Sequence, residues 1–304
     1  MAKKKAAEIG MRPYYHETDN KYVQYLFYST YLGLVPRGVR LRLGSPLVIG
    51  SWLAMFALVF KVIPDMLSRW GYPRELLLGV RIAIIIASAI GGLLALMWYV
   101  DKFDISDRIM EGLENDLKNA GAYYRGEAGE KPLRGQFWVL TLNEEPVGCI
   151  GVDQTLKDVP DQRYSKNVSS SSSNGESSSS SAKDILFKAH KENEATLRRL
   201  AVKTDCQSNG LSTPLIKRVI FWAHSQTVET LYAETNELQD QAATILQTKY
   251  GFRFHAQEKS GLFRVKNVWK LDVKLWMSQE LEKRAKEKEL EDIRKEEEEL
   301  KEYM

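Results

Sequence analysis

The sequence predicts an α+β fold that combines a β-sheet, flanking helices and an apolar two-helix hairpin. Two long apolar segments, residues 47–63 and 76–100, predict the hairpin. Between residues 136 and 275, β-rich segments alternate with amphipathic stretches of helical period, which predicts the sheet and its helices. Residues 276–304 are dominated by Glu and Lys and predict a charged, solvated C-terminal helix.

The composition narrows the class of function. The 304 residues are enough for one large domain or two small ones. The formal net charge is only +3, and acidic residues are interleaved with the basic ones, so we expect no nucleic-acid partner. The two cysteines, Cys149 and Cys206, are far apart and lack a metal-ligand spacing, so we expect no metal and a reduced, cytosolic environment. No secretory signal pattern is visible near the N-terminus.

Residues 46–100 are expected to form a membrane hairpin. At ~1.5 Å per residue, the second apolar segment is about 37 Å long and can cross a bilayer with some tilt, whereas the first is near the short limit. One cation interrupts each segment, Lys61 in the first and Arg81 in the second. Residues 64–75 contain two prolines and a glycine and are expected to form the turn. The alternatives are a hairpin buried in a soluble core and a re-entrant hairpin.

The distribution of basic residues predicts the orientation of this hairpin. Two crossings place both of its ends on the same side of the membrane. The turn carries Arg69 and Arg74, whereas the first crossing is preceded by Lys3, Lys4, Lys5, Arg37, Arg40 and Arg42. The positive-inside rule therefore favours cytosolic termini, with the rest of the chain also in the cytosol. We expect an internal membrane, the endoplasmic reticulum.

A helix is predicted on each side of the hairpin. In the segment 22–34 the apolar side chains are spaced to lie on one face of a helix, and in the segment 105–117 they repeat at the same helical period. The expected N-caps are Asp19 for the first helix and Asp104 or Ser106 for the second, which Gly121 is expected to end.

The remaining elements follow from local pattern and turn chemistry. Residues 143–146, Asn-Glu-Glu-Pro, predict a turn between two strands. The serine runs of residues 165–183 cannot bury apolar area and predict a disordered loop. The predicted strands are residues 136–142, 147–152, 195–202, 231–234, 252–256 and 268–275, and the predicted helices are residues 211–224 and 239–250, the second ended by Gly251.

The stretch from Leu200 to Ser212 carries the chemical signal. A strand enters a loop that contains Gly210, and the loop opens directly into a helix. The first turn of a helix has unpaired N–H groups and the positive end of the helix dipole, which together bind a diphosphate without a lysine. Gly210 allows close approach of the backbone, and the small Ser212 leaves the start of the helix clear.

This stretch resembles the acetyl-CoA loop of the GNAT acetyltransferases. That loop reads Gln/Arg-x-x-Gly-x-Gly/Ala, and this chain has Gln207, Gly210 and Ser212 at the three positions. A helix that ends in Gly251-Phe252 looks like a later block of the family. The segments 136–139 and 146–150 are similar to its strand pair that ends in Val-Gly.

A closer resemblance is to the camello-like, membrane-bound branch of the family. It rests on the apolar hairpin between the first two helices, a Phe-Trp-Val strand, and two short motifs. The motif residues are Arg12, Tyr14 or Tyr15, and Asp19, followed by Glu234, Thr235, Gln239 and Ala242. The resemblance implies a mixed β-sheet flanked by helices, with the two-helix hairpin as an insertion. The catalytic domain would be built from residues 11–35, its first strand and helix, together with residues 104–275.

The resemblance also implies the site residues. Acetyl-CoA would be bound by the backbone of Leu200, Ala201 and Val202, by the loop residues Gln207, Ser208, Asn209, Gly210, Leu211 and Ser212, and by Asn236. The usual family tyrosine acid is replaced by Gln247 here, so the candidate acid is Tyr250, three residues later on the same helix. The candidate bases are Glu194, Glu234 and His190. Each of these side chains could instead have a purely structural role. Tyr250 would then be a packing residue, the candidate bases would be solvated charges, and Asn236 would be a helix cap.

The expected function is a membrane-anchored N-acetyltransferase that moves acetyl from acetyl-CoA to a primary amine, either a small amine or a protein lysine. Its expected partners are the lipid bilayer, this amine substrate and a protein bound through residues 276–304. The alternative is a catalytically weak, membrane-tethered scaffold that binds CoA and recruits a partner through that C-terminal helix. A third reading is a membrane-shaping hairpin protein.

Overall fold

The computed structural model describes residues 8–125, 135–164, 185–259 and 263–302. The chain divides into two compact units, one formed by residues 1–27 with 112–304 and the other by residues 28–111. The serine-rich segment that was predicted to be disordered, residues 165–183, lies outside the described residues.

The first unit contains a seven-stranded mixed sheet. Its strands are β1 (Ile9–Pro13), β2 (Gly135–Leu142), β3 (Glu145–Asp153), β6 (Glu194–Val202), β7 (Thr230–Asn236), β8 (Arg253–Lys259) and β9 (Val265–Asp272), and a separate pair is formed by β4 (Val159–Pro160) and β5 (Ile185–Phe187). The spatial order is β1-β2-β3-β6-β7-β9-β8. Only β6 and β7 pair in parallel, and every other neighbouring pair in this sheet is antiparallel. The predicted mixed α+β sheet is confirmed.

The other main elements of the described residues are α-helices. They are α1 (His16–Leu32), α2 (Val35–Leu43), α3 (Pro46–Arg69), α4 (Arg74–Tyr99), α5 (Ser106–Glu114), α6 (Ala120–Arg125), α7 (Ser212–Ser225), α8 (Asp240–Tyr250) and α9 (Val273–Glu302). A π-helical turn, Val100–Ile105, continues α4 into α5, and a short 3₁₀ turn, Thr204–Cys206, follows β6.

The core of the sheet lies against α7. The apolar face of this helix, which includes Leu215, Ile216 and Val219, is fully buried against side chains of β2, β3, β6, β7 and β9. The predicted turn between β2 and β3 is confirmed: Asn143 and Glu144 both have positive φ, 51° and 72°, as a two-residue type I′ hairpin requires. The predicted end of α8 at Gly251 is also confirmed, since this glycine is left-handed with φ 73°.

Asp19 is not the N-cap that the sequence predicted. The helix α1 begins at His16, so Asp19 lies in its first turn, where it is almost fully buried. Its two carboxylate oxygens accept hydrogen bonds from Arg12 at 2.6 and 2.7 Å, and one of them also accepts from the Tyr15 N–H at 2.8 Å. The ion pair of Arg12 with the buried carboxylate of Asp19 therefore ties β1 to α1.

The second unit contains the apolar hairpin. The most apolar 18-residue windows of its two long helices have mean hydropathies of 2.0 and 2.3, and almost none of either is buried by the protein. Length and composition alone therefore allow both to span a membrane. The predicted turn over residues 64–75 was too long, because α3 continues through Pro64 to Arg69 and only residues 70–73 separate the helices.

The two helices of the hairpin meet through a tryptophan and a glycine. The indole of Trp52 lies so close to Gly92 that any side chain at position 92 would collide with it. Its Nε1 donates to Ser88 Oγ across the pair at 3.4 Å. The guanidinium of Arg81 on α4 lies 5.8 Å from the ring centre of Phe60 on α3.

The helix after the hairpin has neither of the ends that the sequence predicted. Because the helix continues from α4 through the π-helical turn into α5, neither Asp104 nor Ser106 caps a free helix N-terminus. Asp104 is instead buried and accepts hydrogen bonds from Arg42 at 2.7 Å and Arg108 at 2.9 Å. The helix α5 ends at Glu114, and Gly121 lies inside the next helix, α6.

The last predicted strand, residues 268–275, has the observed length but lies three residues too far along the chain. Asp272 ends β9, and its carboxylate accepts a hydrogen bond from the Leu275 N–H at 2.9 Å, which starts α9 at Val273. The beginning of α9 packs on α7, with the rings of Trp276 and Phe221 6.0 Å apart.

Candidate functional site

The strands β6 and β7 separate part-way along their length. They pair from Glu194 opposite Thr230 to Leu197 opposite Ala233, and β6 then continues through residues 198–202 with no strand on that side in the described sheet. We call residues 198–202 the open edge. Backbone N–H and C=O groups on such an edge can pair with an extended ligand as with an added strand.

A β-bulge bends β6 at the start of the open edge. Arg198 pairs with Gly151 and Ala201 pairs with Cys149, so Arg199 and Leu200 both lie opposite the single residue Ile150. Arg199 has a φ of +53°, a left-handed conformation that is rare for a residue with a side chain. The bulge redirects the strand away from β7.

A buried carboxylate holds this bulge. Asp116, which is fully buried, accepts hydrogen bonds from Arg199 Nη2 at 2.7 Å and Arg199 Nε at 2.9 Å. It also accepts one from the hydroxyl of Tyr124 at 2.8 Å. The bidentate pair fixes the guanidinium, and through it the unusual backbone of Arg199.

The open edge leads into the loop between β6 and α7, residues 203–211, which we call the glycine loop. Ser208 and Gly210 have positive φ, 64° and 75°, and the space around Gly210 is open. Within the described residues, the N–H groups of residues 208–212 find no hydrogen-bond acceptor. Leu211 precedes α7 and makes no side-chain cap. These free N–H groups at a helix N-terminus suit an anion.

The side chains of the predicted cofactor residues mostly hold local structure. Gln207 Nε2 donates to the carbonyl of Val202 at 3.0 Å, and Asn209 Nδ2 donates to the carbonyl of Cys206 at 3.4 Å. Leu211 is buried in the core. It is therefore the backbone of the glycine loop, and the start of α7 at Ser212, that remain for a ligand.

Asn236 does not cap α8, whose N-cap position is Gln239, and its hydrogen bonds are made within the preceding turn. Its Oδ1 accepts a hydrogen bond from the Leu238 N–H at 2.9 Å, and its own N–H donates to Gln239 Oε1 at 3.1 Å. Both contacts shape the turn between β7 and α8.

Glu234 is the predicted base that lies where the strands separate. It follows Ala233, the last residue of β7 that pairs with β6. Its carboxylate accepts from Arg198 Nη1 at 3.3 Å and lies 2.9 Å from Lys266 Nζ. Burial pushes the pKa of Glu234 upward, but the charges of Arg198 and Lys266 outweigh it and the pKa is lowered, so this carboxylate is ionised.

Neither Glu194 nor Tyr250 lies with Glu234 at the point where β6 and β7 separate. Glu194 starts β6, and the six residues to Leu200 correspond to about 20 Å of strand. Its carboxylate accepts from the Tyr232 hydroxyl at 3.3 Å. Tyr250 is buried in the core beside α7, and burial raises the pKa of its hydroxyl.

The part that Arg198 plays in a polar cluster beside the open edge was missed by sequence reasoning. Arg198, almost fully buried, donates from Nε to Asp153 at 3.0 Å, and its guanidinium lies 3.5 Å from the ring centre of Phe187. Two adjacent arginines in an apolar strand were the available signal, since arginine is rarely buried without a partner.

His190 belongs to this cluster. Its Nδ1 faces the carbonyl of Thr155 at 3.2 Å and must donate, so Nε2 accepts a hydrogen bond from the hydroxyl of Thr196 at 2.6 Å. Burial lowers the pKa of His190, against the opposing charge of Asp153, so the imidazole is neutral at pH 7. Among the described residues, no cluster of His, Cys, Asp or Glu could hold a metal ion.

Comparison with known proteins identifies the domain that carries these features. Residues 104–252, which include α5 to α8, match the model of the acetyltransferase (GNAT) family. The chain carries a GNAT-family acetyltransferase domain. The open edge, the bulge and the glycine loop all lie within the matched part of the GNAT domain. No curated protein matches the chain.

Three solved structures resemble part of the chain. A GNAT-family acetyltransferase from Staphylococcus aureus Mu50 is 16% identical over 58% of this chain and 88% of its own, with a TM-score of 0.36. An acetyltransferase from Streptococcus agalactiae 2603 is 14% identical over 59% and 88%, with a TM-score of 0.37. A GNAT-family acetyltransferase from Elizabethkingia anophelis with acetyl-CoA bound is 14% identical over 45% and 76%, with a TM-score of 0.30.

Proposed function

We propose that this protein is a membrane-anchored N-acetyltransferase that moves acetyl from acetyl-CoA to a primary amine, either a small amine or a protein lysine. The observation that carries the proposal is the continuity of the open edge of β6 with the glycine loop. The strand offers unpaired backbone groups, and the loop offers a row of free N–H groups at the start of a helix. An elongated thioester with amides at one end and a diphosphate at the other fits both.

The parts of acetyl-CoA are assigned to this track by their chemistry. The amides of the pantetheine arm would pair with the backbone of Leu200, Ala201 and Val202, and the diphosphate would lie on the N–H groups of residues 208–212. This binding does not require a lysine or arginine side chain, although the negative charge of the diphosphate would favour a nearby cation. The acetyl group would then lie near the bulge, where Arg199 and Leu200 bend the strand.

The polar cluster is the proposed acceptor site. Transfer to an amine requires that a proton leave the ammonium before or during attack on the thioester. Glu234, ionised and beside the point where the strands separate, would attract and orient the ammonium. His190, neutral at pH 7, would accept the first proton at Nε2 in place of the hydrogen bond from Thr196. The amine nitrogen would then bond to the thioester carbonyl carbon, the C–S bond would break, and CoA would leave as a thiolate that takes the second proton of the nitrogen and becomes the thiol. Glu194 is the more distant candidate base.

The apolar hairpin supports the proposed location. Both of its helices are long and apolar enough to span a bilayer, and the short turn between them returns the chain to the side from which it came. The excess of Lys and Arg before the first crossing favours cytosolic termini and a cytosolic catalytic domain. By resemblance to the camello-like branch, we propose the endoplasmic reticulum.

A scaffold that binds CoA without efficient transfer is the second candidate function. Two observations favour it: Gln247 stands at the usual tyrosine position, and α9 exposes Leu281 and Leu290, 60% and 66% accessible, to a possible protein partner. In this reading residues 276–304 recruit the partner.

The test compares ligand protection and acetyl transfer in detergent-purified protein. The variant Gly210→Trp blocks the glycine loop, and Gly71→Trp is its control, because Gly71 also has a positive φ and open surroundings but lies in the hairpin turn. We expect acetyl-CoA to raise the melting temperature of wild type and Gly71→Trp but not of Gly210→Trp. Labelled acetyl should reach one member of an amine panel.

Three other outcomes are informative. Equal protection of all three proteins would refute the loop assignment. Protection without transfer to any amine would favour the scaffold. No protection of wild type would refute binding of acetyl-CoA.

A further inference from the structure

Lys249 is placed at the first turn of α7 by a hydrogen bond from another helix. It lies in the last turn of α8, and its Nζ donates to the hydroxyl of Thr213 at 2.6 Å. Thr213 is the second residue of α7, immediately after the glycine loop. The ammonium is therefore held at the end of α7 where the free N–H groups are.

This placement is electrostatically unfavourable without an anion. The N-terminus of a helix carries a partial positive charge, which repels a cation. Among the described residues, no carboxylate lies within ion-pair distance of Lys249, and the nearby Glu280 is already paired with Lys217 and Arg284. Two positive groups directed at one place suit a ligand with more than one negative charge.

The neighbouring Tyr250 is an independent sign of a ligand. It is 2% accessible, and its hydroxyl faces the side chain of Thr213 without reaching hydrogen-bond geometry with it or with another group in the described part of the chain. Buried hydroxyl groups are normally hydrogen-bonded, because leaving one unpaired loses its hydration without replacement. A polar group bound at the first turn of α7 would supply the missing partner.

We propose that Lys249, Thr213 and Tyr250 form the side-chain part of the diphosphate site, and that Lys249 selects thioesters that carry a diphosphate. This inference rests on the proposed function, which places the diphosphate on the glycine loop. The backbone N–H groups there are neutral, whereas Lys249 contributes a full charge. The site then discriminates acetyl-CoA from acetyl-pantetheine, which has the same thioester and amides but no diphosphate.

A purely structural role for Lys249 makes a different prediction. A lysine in the last turn of α8 interacts favourably with the negative end of that helix, which Gly251 terminates. Removing such a lysine lowers the stability of the free protein and changes the affinities for both thioesters to the same extent. Loss of a diphosphate contact affects acetyl-CoA alone.

The experiment measures binding of both thioesters to the full chain in detergent micelles. The variants are Lys249→Met, Lys249→Arg and the control Lys288→Met, an exposed lysine of α9. We expect Lys249→Met to weaken acetyl-CoA binding about tenfold and to leave acetyl-pantetheine binding unchanged, with Lys249→Arg retaining most of the affinity. Raising the salt concentration should weaken acetyl-CoA binding more in wild type than in Lys249→Met.

The outcomes separate this inference from the function on which it rests. Equal acetyl-CoA affinity in Lys249→Met and Lys288→Met would overturn the role of Lys249 while leaving the proposed function intact. An equal loss of affinity for both thioesters in Lys249→Met would show that Lys249 has a structural role. Absence of acetyl-CoA binding by wild type would overturn both.

Discussion

Asp116 binds Arg199 through both of its carboxylate oxygens, with the fully buried acid on one side and the bulge of β6 on the other. The pair joins the segment after α5 to the strand whose open edge forms the candidate site. Because the guanidinium is held at two points, the left-handed backbone of Arg199 has little freedom. The shape of the open edge therefore depends on a carboxylate 83 residues away in the sequence.

Replacing Asp116 should destabilise the protein strongly. In Asp116→Ala the buried guanidinium of Arg199, 9% accessible, loses its counter-charge. Breaking a buried pair from one side typically costs roughly 3–5 kcal/mol. Chemical denaturation in detergent measures this loss of folding free energy. The control is Glu287→Ala, whose ion pair with Lys283 is exposed and should contribute less than about 1 kcal/mol. Similar losses in the two variants would argue against the role of the buried pair.

Glu234 should make the folding stability of the protein depend on pH. Its pKa is lowered in the folded state, so its stabilising contribution is complete above the unfolded value of 4.5 and is lost as the pH falls through the folded pKa. Wild type should therefore lose more stability than Glu234→Gln when the pH is lowered from 5 toward 3. Melting temperatures across this range provide the measurement, and parallel curves would contradict the ionised pair with Arg198 and Lys266.

His190 should define the acid limb of the pH–rate profile. Histidine acts as a base only when its imidazole is neutral, and burial lowers the pKa of His190 from 6.5, so the acid limb of kcat/KM should have an apparent pKa below 6.5. His190→Gln should reduce the rate by about 10²–10⁴ and abolish that limb. The control is His224→Gln, an exposed histidine of α7. An unchanged limb in His190→Gln would exclude this residue as the base.

Gly92 should be required for pairing of the hairpin helices. In Gly92→Leu the new side chain would collide with the indole of Trp52, whereas the neighbouring Gly91→Leu has open space around it. Overpacking of this kind costs roughly 1–3 kcal/mol. Unfolding in mixed micelles, followed by tryptophan fluorescence, should show the loss only for Gly92→Leu. Equal stability of the two variants would show that the helices do not pack through Trp52.

Local pattern predicted most elements of the fold correctly. The turn at Asn143, the helix that follows Gly210 and the helix that stops at Gly251 each depend on backbone preferences within a few residues, and all three are confirmed. The errors occurred where neighbouring structure overrode these preferences. Pro64 did not end α3, and Asp104 did not start a helix, because the chain continued α4 through a π-helical turn.

The sequence by itself determined the strand–loop–helix that offers free N–H groups, and the apolar length of the hairpin, because both properties are local along the chain. Only the tertiary structure decided which charges meet. Asp116 and Arg199, Asp153 and Arg198, and Lys249 and Thr213 come from separate segments. Their pairing depends on how the strands are ordered in the sheet and how the helices pack on it, and no local preference specifies either.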